Sequence, residues 1–229
     1  MKTNWKTELP LLLLIAGMFL LAAVSWSTAP DRIPVHWGMT GEVDRYGGRL
    51  EGLVAIPALG ALVYLLMLFL PRIDPGRANY ARFGGAYYTV RAAVLVIFAV
   101  LYGVTHLIIR GVQVDMPQVV GLVVGAMFFL FGNLLGKIRP NWFVGVRTPW
   151  TLSSKRAWTK THRLAGWVFI LGGIAIMAAG VLQNAVAVWL ATGVLLVGLA
   201  GATVYSYLVW RTDPDRVPPA GTLPSNGEG

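Results

Sequence analysis

The chain lacks cysteine altogether, carries few charges and is short of acid. None of its 229 residues is Cys, which excludes a disulfide scaffold, thiolate metal sites and thiol redox chemistry. Charged residues make up 13% of the sequence, against about 25% in soluble domains. Only 10 are Asp or Glu, against 19 Lys and Arg. No H-E-x-x-H, no G-x-S-x-G and no phosphate-cradling glycine loop occurs, so zincin, α/β-hydrolase and P-loop chemistry have no motif to rest on. What is abundant is apolar: 56% of the residues are hydrophobic. That balance excludes a disordered chain and an ordinary cytosolic enzyme, and a membrane protein remains.

Six apolar stretches are each long enough to cross a hydrocarbon core of about 30 Å at about 1.5 Å per residue. They run Leu9–Trp26, Leu53–Leu70, Tyr87–Ile109, Gln118–Leu135, Leu164–Leu182 and Val186–Trp210. Ala23-Val24-Ser25 resembles a signal-peptide cleavage site. Glu8 and Pro10, however, sit where a basic region should meet its apolar core, so the first stretch reads as an uncleaved helix. The fold class expected is all-α, a six-helix transmembrane bundle.

Charge placement orients it. With the N-terminus cytoplasmic, fourteen of the Lys and Arg fall in inner segments and four, Arg32, Arg45, Arg49 and Arg110, fall outside. The positive-inside rule therefore places both termini in the cytoplasm. Arg91, one turn into the third helix, is expected to snorkel to the inner side. Apart from it and Asn133, no ionisable or strongly polar residue is expected inside the bundle, which argues against a substrate pathway.

The organisation expected is a two-helix unit over 1–85 with a structured extracytoplasmic loop at 27–52, then a four-helix unit over 86–210 with a cytoplasmic loop at 136–163. A Pro-, Gly- and polar-rich tail over 211–229 is expected to be disordered. The turn at Gln183-Asn184 is short enough to force a tight antiparallel hairpin, and Gly121-x-x-x-Gly125 reads as a close helix contact. Leu70–Pro75 and Leu135–Pro140 share a Leu-x-basic-Ile-x-Pro pattern. Duplication of a helical hairpin and convergence on a basic, proline-stopped helix end both explain it.

Two loops carry the candidate residues. The outer one holds Asp31, His36, Trp37, Glu42, Asp44 and Glu51, a locally acidic surface in a chain of net charge +9. The inner one is basic and aromatic. Pro149 and Gly145 break regular structure there, and Ser153 or Thr151 is expected to cap a helix starting near Lys155. Trp158 and His162 lie one turn apart on that helix. Arg147, Trp150, Trp158 and His162 are expected to form one packed unit. Lys and Arg with interfacial Trp suit a lipid surface, but do not require this order of Gly, Arg, Thr and Pro.

Gly132-Asn133, Pro140-Asn141, Gly145-Val146-Arg147-Thr148-Pro149-Trp150-Thr151-Leu152 and Trp158…Thr161-His162-Arg163…Gly166 resemble the signature of the SdpI family. Its members are multi-pass membrane proteins named for immunity to a secreted sporulation-delaying toxin. Ile33-Pro34-Val35-His36-Trp37-Gly38…Gly41-Glu42-Val43-Asp44 resembles the domain of unknown function that often precedes that signature. The resemblance implies a bacterial plasma (inner) membrane protein conferring resistance to a toxic peptide met from outside. It also implies a relay to a cytoplasmic repressor.

His36, Trp37, Glu42 and Asp44 are the expected ligand-binding residues. The expected cytoplasmic motif is Asn141, Gly145, Arg147, Thr148, Pro149, Trp150, Trp158, Thr161, His162 and Arg163. No catalytic residue, no cofactor and no direct nucleic-acid contact are expected. A divalent metal at His36, Glu42, Asp44 and His106 is the competing reading of the outer residues. A small transporter or channel and a metal-dependent membrane hydrolase are the alternative functions.

Overall fold

Polar caps set the helix ends, and apolar runs set what lies between. The structure, a computed structural model, describes residues 4–38 and 40–217. Helix α1 (Trp5–Ser25) starts at Asn4, whose side chain accepts the Lys6 amide. Helix α4 (Met116–Leu135) starts at Asp115 and α7 (Ala185–Arg211) at Asn184, each with its side chain on a first-turn amide. Helix α6 (Lys155–Val181) is capped by Ser154, which accepts from Ala157, rather than by the expected Ser153 or Thr151. Helix α2 (Arg49–Ile73) passes through a 3-10 turn, Arg77–Asn79, into α3 (Tyr80–Ile109), which is bent at Phe83. The short α5 (Pro149–Leu152) lies in the loop between α4 and α6. These caps satisfy amides that hydropathy does not see, so the helices begin before their apolar runs.

Six of the helices are long and apolar enough to cross a membrane. The even number returns the chain to its starting side, which we call the termini end; the opposite, hairpin end carries the one feature that helical periodicity did not foresee. There β1 (Ile33–Trp37) pairs antiparallel with β2 (Val43–Gly47), with irregular register around His36. Gly41 turns the hairpin at φ +96°, and a methyl group there would lie 2.7 Å from the Pro117 ring of α4. Only glycine allows both that backbone and that contact. Ile33 is fully buried against Gly52, fixing the hairpin to α2.

Three apolar clusters form the core. One joins α1, α2 and the half of α3 nearer the hairpin end, for example Leu11, Ile15, Leu53 and Leu95. A second joins α6 and α7 through Ile176, Ala179, Val188 and Leu195. The third, with Tyr80, Tyr87, Leu135, Trp158 and Ala202, bridges them at the termini end. Helix α3 thus contributes to two clusters, with Leu95 and Tyr102 in the first and Tyr80 and Tyr87 in the third. Helices α4 and α6 meet through glycine: Gly121 on Gly180, Gly125 on Gly173 and Gly132 on Gly166. A methyl on Gly173 would sit 2.5 Å from the Phe129 nitrogen. Small residues let the two backbones touch, the route by which membrane helices gain packing energy.

Arg91 does not snorkel. It is 1% exposed, and its guanidinium grips the Glu8 carboxylate with both forks, at 3.1 and 2.6 Å. The Tyr64 hydroxyl donates to the same carboxylate at 2.8 Å. Three helices therefore share one buried charge pair, and the interior is not free of ionisable groups as the helix-by-helix reading suggested. Asn133 donates to the Phe129 carbonyl of its own helix and faces outward.

The tail also departs from expectation over the residues that are described. Asp213 is buried and receives the Ser154 hydroxyl, and the Val217 amide donates to the Ser153 carbonyl. Residues 218–229 of the expected disordered segment lie outside the described residues.

Candidate functional site

At the hairpin end, β1 brings His36 and Trp37 to the rim of a pocket of about 270 Å³. Its remaining wall comes from the first turns of two helices, including Met116 and Val120 of α4 and Val188 and Trp189 of α7. Trp189 was not singled out by the sequence, because a lone Trp in an apolar run reads as lipid-facing. The pocket is apolar inside and acidic beside.

The acidic residues are unequal. Glu51 pairs with Arg45 at 2.5 Å and Asp31 with Arg49 at 3.0 Å, so these two hold the loop together. Asp44 lies 2.6 Å from His36 Nδ1. Glu42 has no cation partner among the described residues, and the Thr40 hydroxyl that donates to it holds its carboxyl below the usual range. Glu42 is thus left without a cation beside the pocket, while Asp44 is exposed but tied to His36. His106 is not with them: it is buried in α3, its Nδ1 against the Tyr102 carbonyl at 3.0 Å. No three metal-ligating side chains come together among the described residues, so the proposed set of His36, Glu42, Asp44 and His106 is not assembled.

At the termini end, Asn141 organises the motif loop. Its amide oxygen accepts the Phe143 and Val144 amides and its nitrogen donates to the Arg139 and Val144 carbonyls. Gly145 follows at φ +108°, and a methyl group there would lie 2.2 Å from His162 Nε2. The Val146 amide then donates to that nitrogen at 3.1 Å, while His162 Nδ1 faces the Trp158 carbonyl at 2.8 Å. These partners select the neutral ring with its proton on Nδ1. Trp158 stacks on His162 at 4.0 Å and donates its indole N–H to the Ile138 carbonyl. Thr148 caps α5 in a reciprocal box with Thr151 and meets Ser206 of α7 at 3.0 Å. Pro149, fixed in φ and lacking an N–H, occupies the first position of that short helix.

The expected four-residue unit is therefore divided. Trp158 and His162 pack together, but Trp150 meets the Tyr207 ring of α7 edge to face, 5.3 Å away. Arg147 is exposed and donates to the Trp142 carbonyl. Arg163 is exposed as well, whereas Thr161 is fully buried. The spacing of Trp158 and His162 is helical and local, whereas Arg147 and Trp150 depend on where the loop turns.

Two carboxylates missed by sequence reading hold this end. Asp74, 1% exposed, caps α2 and accepts the Gly76 and Trp142 amides and the Tyr80 hydroxyl. It ties the end of the first Leu-x-basic-Ile-x-Pro pattern to Trp142, just past the second. Asp213 is held below its usual range first by the Ser154 hydroxyl and then by the Asp215 amide. A lowered native value means the contact adds stability above the unfolded carboxyl range and loses it as pH falls through that lowered value. At neutral pH the tail stays clasped.

Six membrane-length helices, with a β-hairpin at one end and a cross-braced loop at the other, make this a multi-pass membrane protein. Residues 137–206 match the SdpI/YfhL protein family, and residues 13–61 match a domain of unknown function, DUF1648. The chain is 23% identical over 206 residues to a Bacillus subtilis (strain 168) protein named Immunity protein SdpI, covering 87% of this chain and 94% of that one. It is also 32% identical over 62 residues to an uncharacterized protein of Archaeoglobus fulgidus, covering 27% of this chain and 33% of that one. No solved structure matches. The SdpI resemblance read in the motif loop, and the DUF1648 resemblance read in the outer segment, are both present.

Proposed function

We propose that this chain is a membrane immunity protein, protecting the cell that makes it against a toxic peptide, and that it does so by binding rather than by catalysis. The observation that carries this reading is the alignment to Immunity protein SdpI, which spans nearly the whole of that protein rather than one motif. The hairpin faces outward and both termini face the cytoplasm, as the fourteen-to-four distribution of Lys and Arg supports. Recognition then falls to Glu42 and Asp44 as the attracting charges and to the His36–Trp37–Trp189 pocket as the apolar receptor. A cationic, amphipathic peptide suits that pairing, because screening confines each field to about 8 Å and lets a local acidic surface act in a basic protein. The motif loop would relay the bound state to a cytoplasmic regulator.

Orientation is checked with single cysteines in this Cys-free chain. A membrane-impermeant thiol reagent is expected to label position 40 in intact cells and position 142 only after permeabilisation. The reverse pattern would invert the bundle.

Recognition is checked with Glu42→Gln and Asp44→Asn together, expressed in a Bacillus strain sensitive to the sporulation-delaying toxin. Both carboxylates are exposed, so the thermal midpoint in detergent should barely move. Survival under toxin should fall, and toxin association should lose most of its salt dependence. Full protection by the double variant would remove these carboxylates from recognition.

A further inference from the structure

A cavity of about 1,320 Å³ lies at the termini end, away from the pocket at the hairpin end and lined in part by the motif loop. Arg82 comes to it from α3 beside the Phe83 bend, Arg139 from the motif loop, and Lys155 and Arg156 from the first turn of α6. None of these four has an ion-pair partner among the described residues. Two carboxylates, Asp213 and Asp215, share the wall, but Asp213 is already engaged by the Ser154 hydroxyl and the Asp215 amide. The neutral donors nearby are also spent: Trp158 on the Ile138 carbonyl and Asn79 on the Pro140 carbonyl. Ser154 occupies the Ala157 amide and, through its carbonyl, the Trp158 amide. The amides of Lys155 and Arg156 therefore remain as the open donors of a 27-residue helix.

We propose that this cavity binds a phosphate ester, presented by an acidic phospholipid headgroup or by a small soluble phosphate. Four cations without an ion pair, of which Arg156 also acts on Asp213, surround a concavity that the first turn of a long helix helps to line, an arrangement suited to a compact polyoxygen anion. They are far less suited to a single carboxylate, which could not engage all of them. The cavity lies where the membrane-length helices end, the level at which headgroups would sit, and Leu152, Pro140 and Val217 give part of its wall an apolar lining. That combination favours the lipid source, since a glycerol backbone and the start of an acyl chain would cover those residues while the phosphate meets the cations. The site is separate from the outer pocket, so it stands whether or not the chain confers immunity.

The test uses the full chain purified in detergent and titrated with phosphatidylglycerol, phosphatidylcholine or inorganic phosphate, read by native mass spectrometry and thermal shift. Phosphatidylglycerol is expected to bind in preference to phosphatidylcholine. Arg82→Gln with Arg156→Gln is expected to weaken that binding about 30-fold, at about fivefold per cation near a membrane surface. Lys137→Gln with Lys160→Gln removes the same charge from exposed positions outside the cavity and is expected to leave affinity within about twofold. Lys155→Gln alone gives the same reading if the cavity pair fails to fold. Stabilisation by inorganic phosphate alone, lost in the cavity pair, would assign the site to a soluble phosphate. Equal losses in the two pairs, or no preference over phosphatidylcholine, would overturn the proposal and leave only diffuse surface attraction.

Discussion

Arg91→Met is expected to destabilise the bundle by about 3–5 kcal/mol, the usual cost of leaving a buried carboxylate without its counter-charge. Arg91 reaches Glu8 with both forks from a position 1% exposed to solvent. Its guanidinium also lies 5.2 Å from the centre of the Tyr64 ring. With the Tyr64 hydroxyl on the same carboxylate, the pair ties α1, α2 and α3 together at a point where apolar packing alone leaves no partner for Glu8. Replacing both charges, Glu8→Leu with Arg91→Met, is expected to recover most of the loss, because exchanging a whole buried pair for apolar side chains is often neutral. Unfolding midpoints of the four proteins in detergent, combined as a double-mutant cycle, give the coupling. Losses that simply add would show that Arg91 and Glu8 do not stabilise each other.

Gly145→Ala is the second large effect. The backbone there has φ +108°, and the added methyl would lie 2.2 Å from His162 Nε2. Strain at such a backbone costs about 1–3 kcal/mol, and forcing a filled site apart costs about 1–3 kcal/mol more. The ring cannot retreat freely, since Trp158 stacks on it and its other nitrogen faces the Trp158 carbonyl. We expect the Val146–His162 hydrogen bond to break and the unfolding midpoint in detergent to fall. Gly136→Ala is the matched control: its φ is −65° and nothing lies within 4 Å of the new methyl. Its stability should be unchanged or raised. Equal behaviour of the two variants would mean that the turn at Gly145 does not support the motif loop.

The six spans were legible because membrane helices must be apolar for their full length, so hydropathy reports them directly. The glycine seam was legible in part, as Gly121-x-x-x-Gly125, because small residues at helical spacing leave one physical use. The Glu8–Arg91 pair was not legible. The two residues are 83 positions apart, and each, read on its own helix, sits near an end where a charge could reach water. Only the packing of α1 against α3 removes that exit.

The sites divide in the same way. Trp158 and His162 share a helical face, so local geometry joins them. Arg147 and Trp150 precede a cap and a turn whose direction the sequence does not state, and they diverge. The hairpin pocket needed Trp189, which follows β1 by some 150 residues and reads in its own context as one more apolar side chain. His106 was grouped with His36 by its place near the outer end of a helix, but its side chain is turned to the Tyr102 carbonyl of its own helix.

Recognition of a toxic peptide at the hairpin end is tested most directly by photo-crosslinking in living cells. A photoreactive amino acid placed at Trp189, at Trp37 or, as a control at the opposite end, at Trp142 would be irradiated after toxin is added outside. Adducts with the toxin are expected at 189 and 37 and absent at 142, and they should diminish when Glu42→Gln and Asp44→Asn are introduced. Cells that survive the toxin while showing no adduct at either outer position, or an adduct only at 142, would contradict recognition by this pocket.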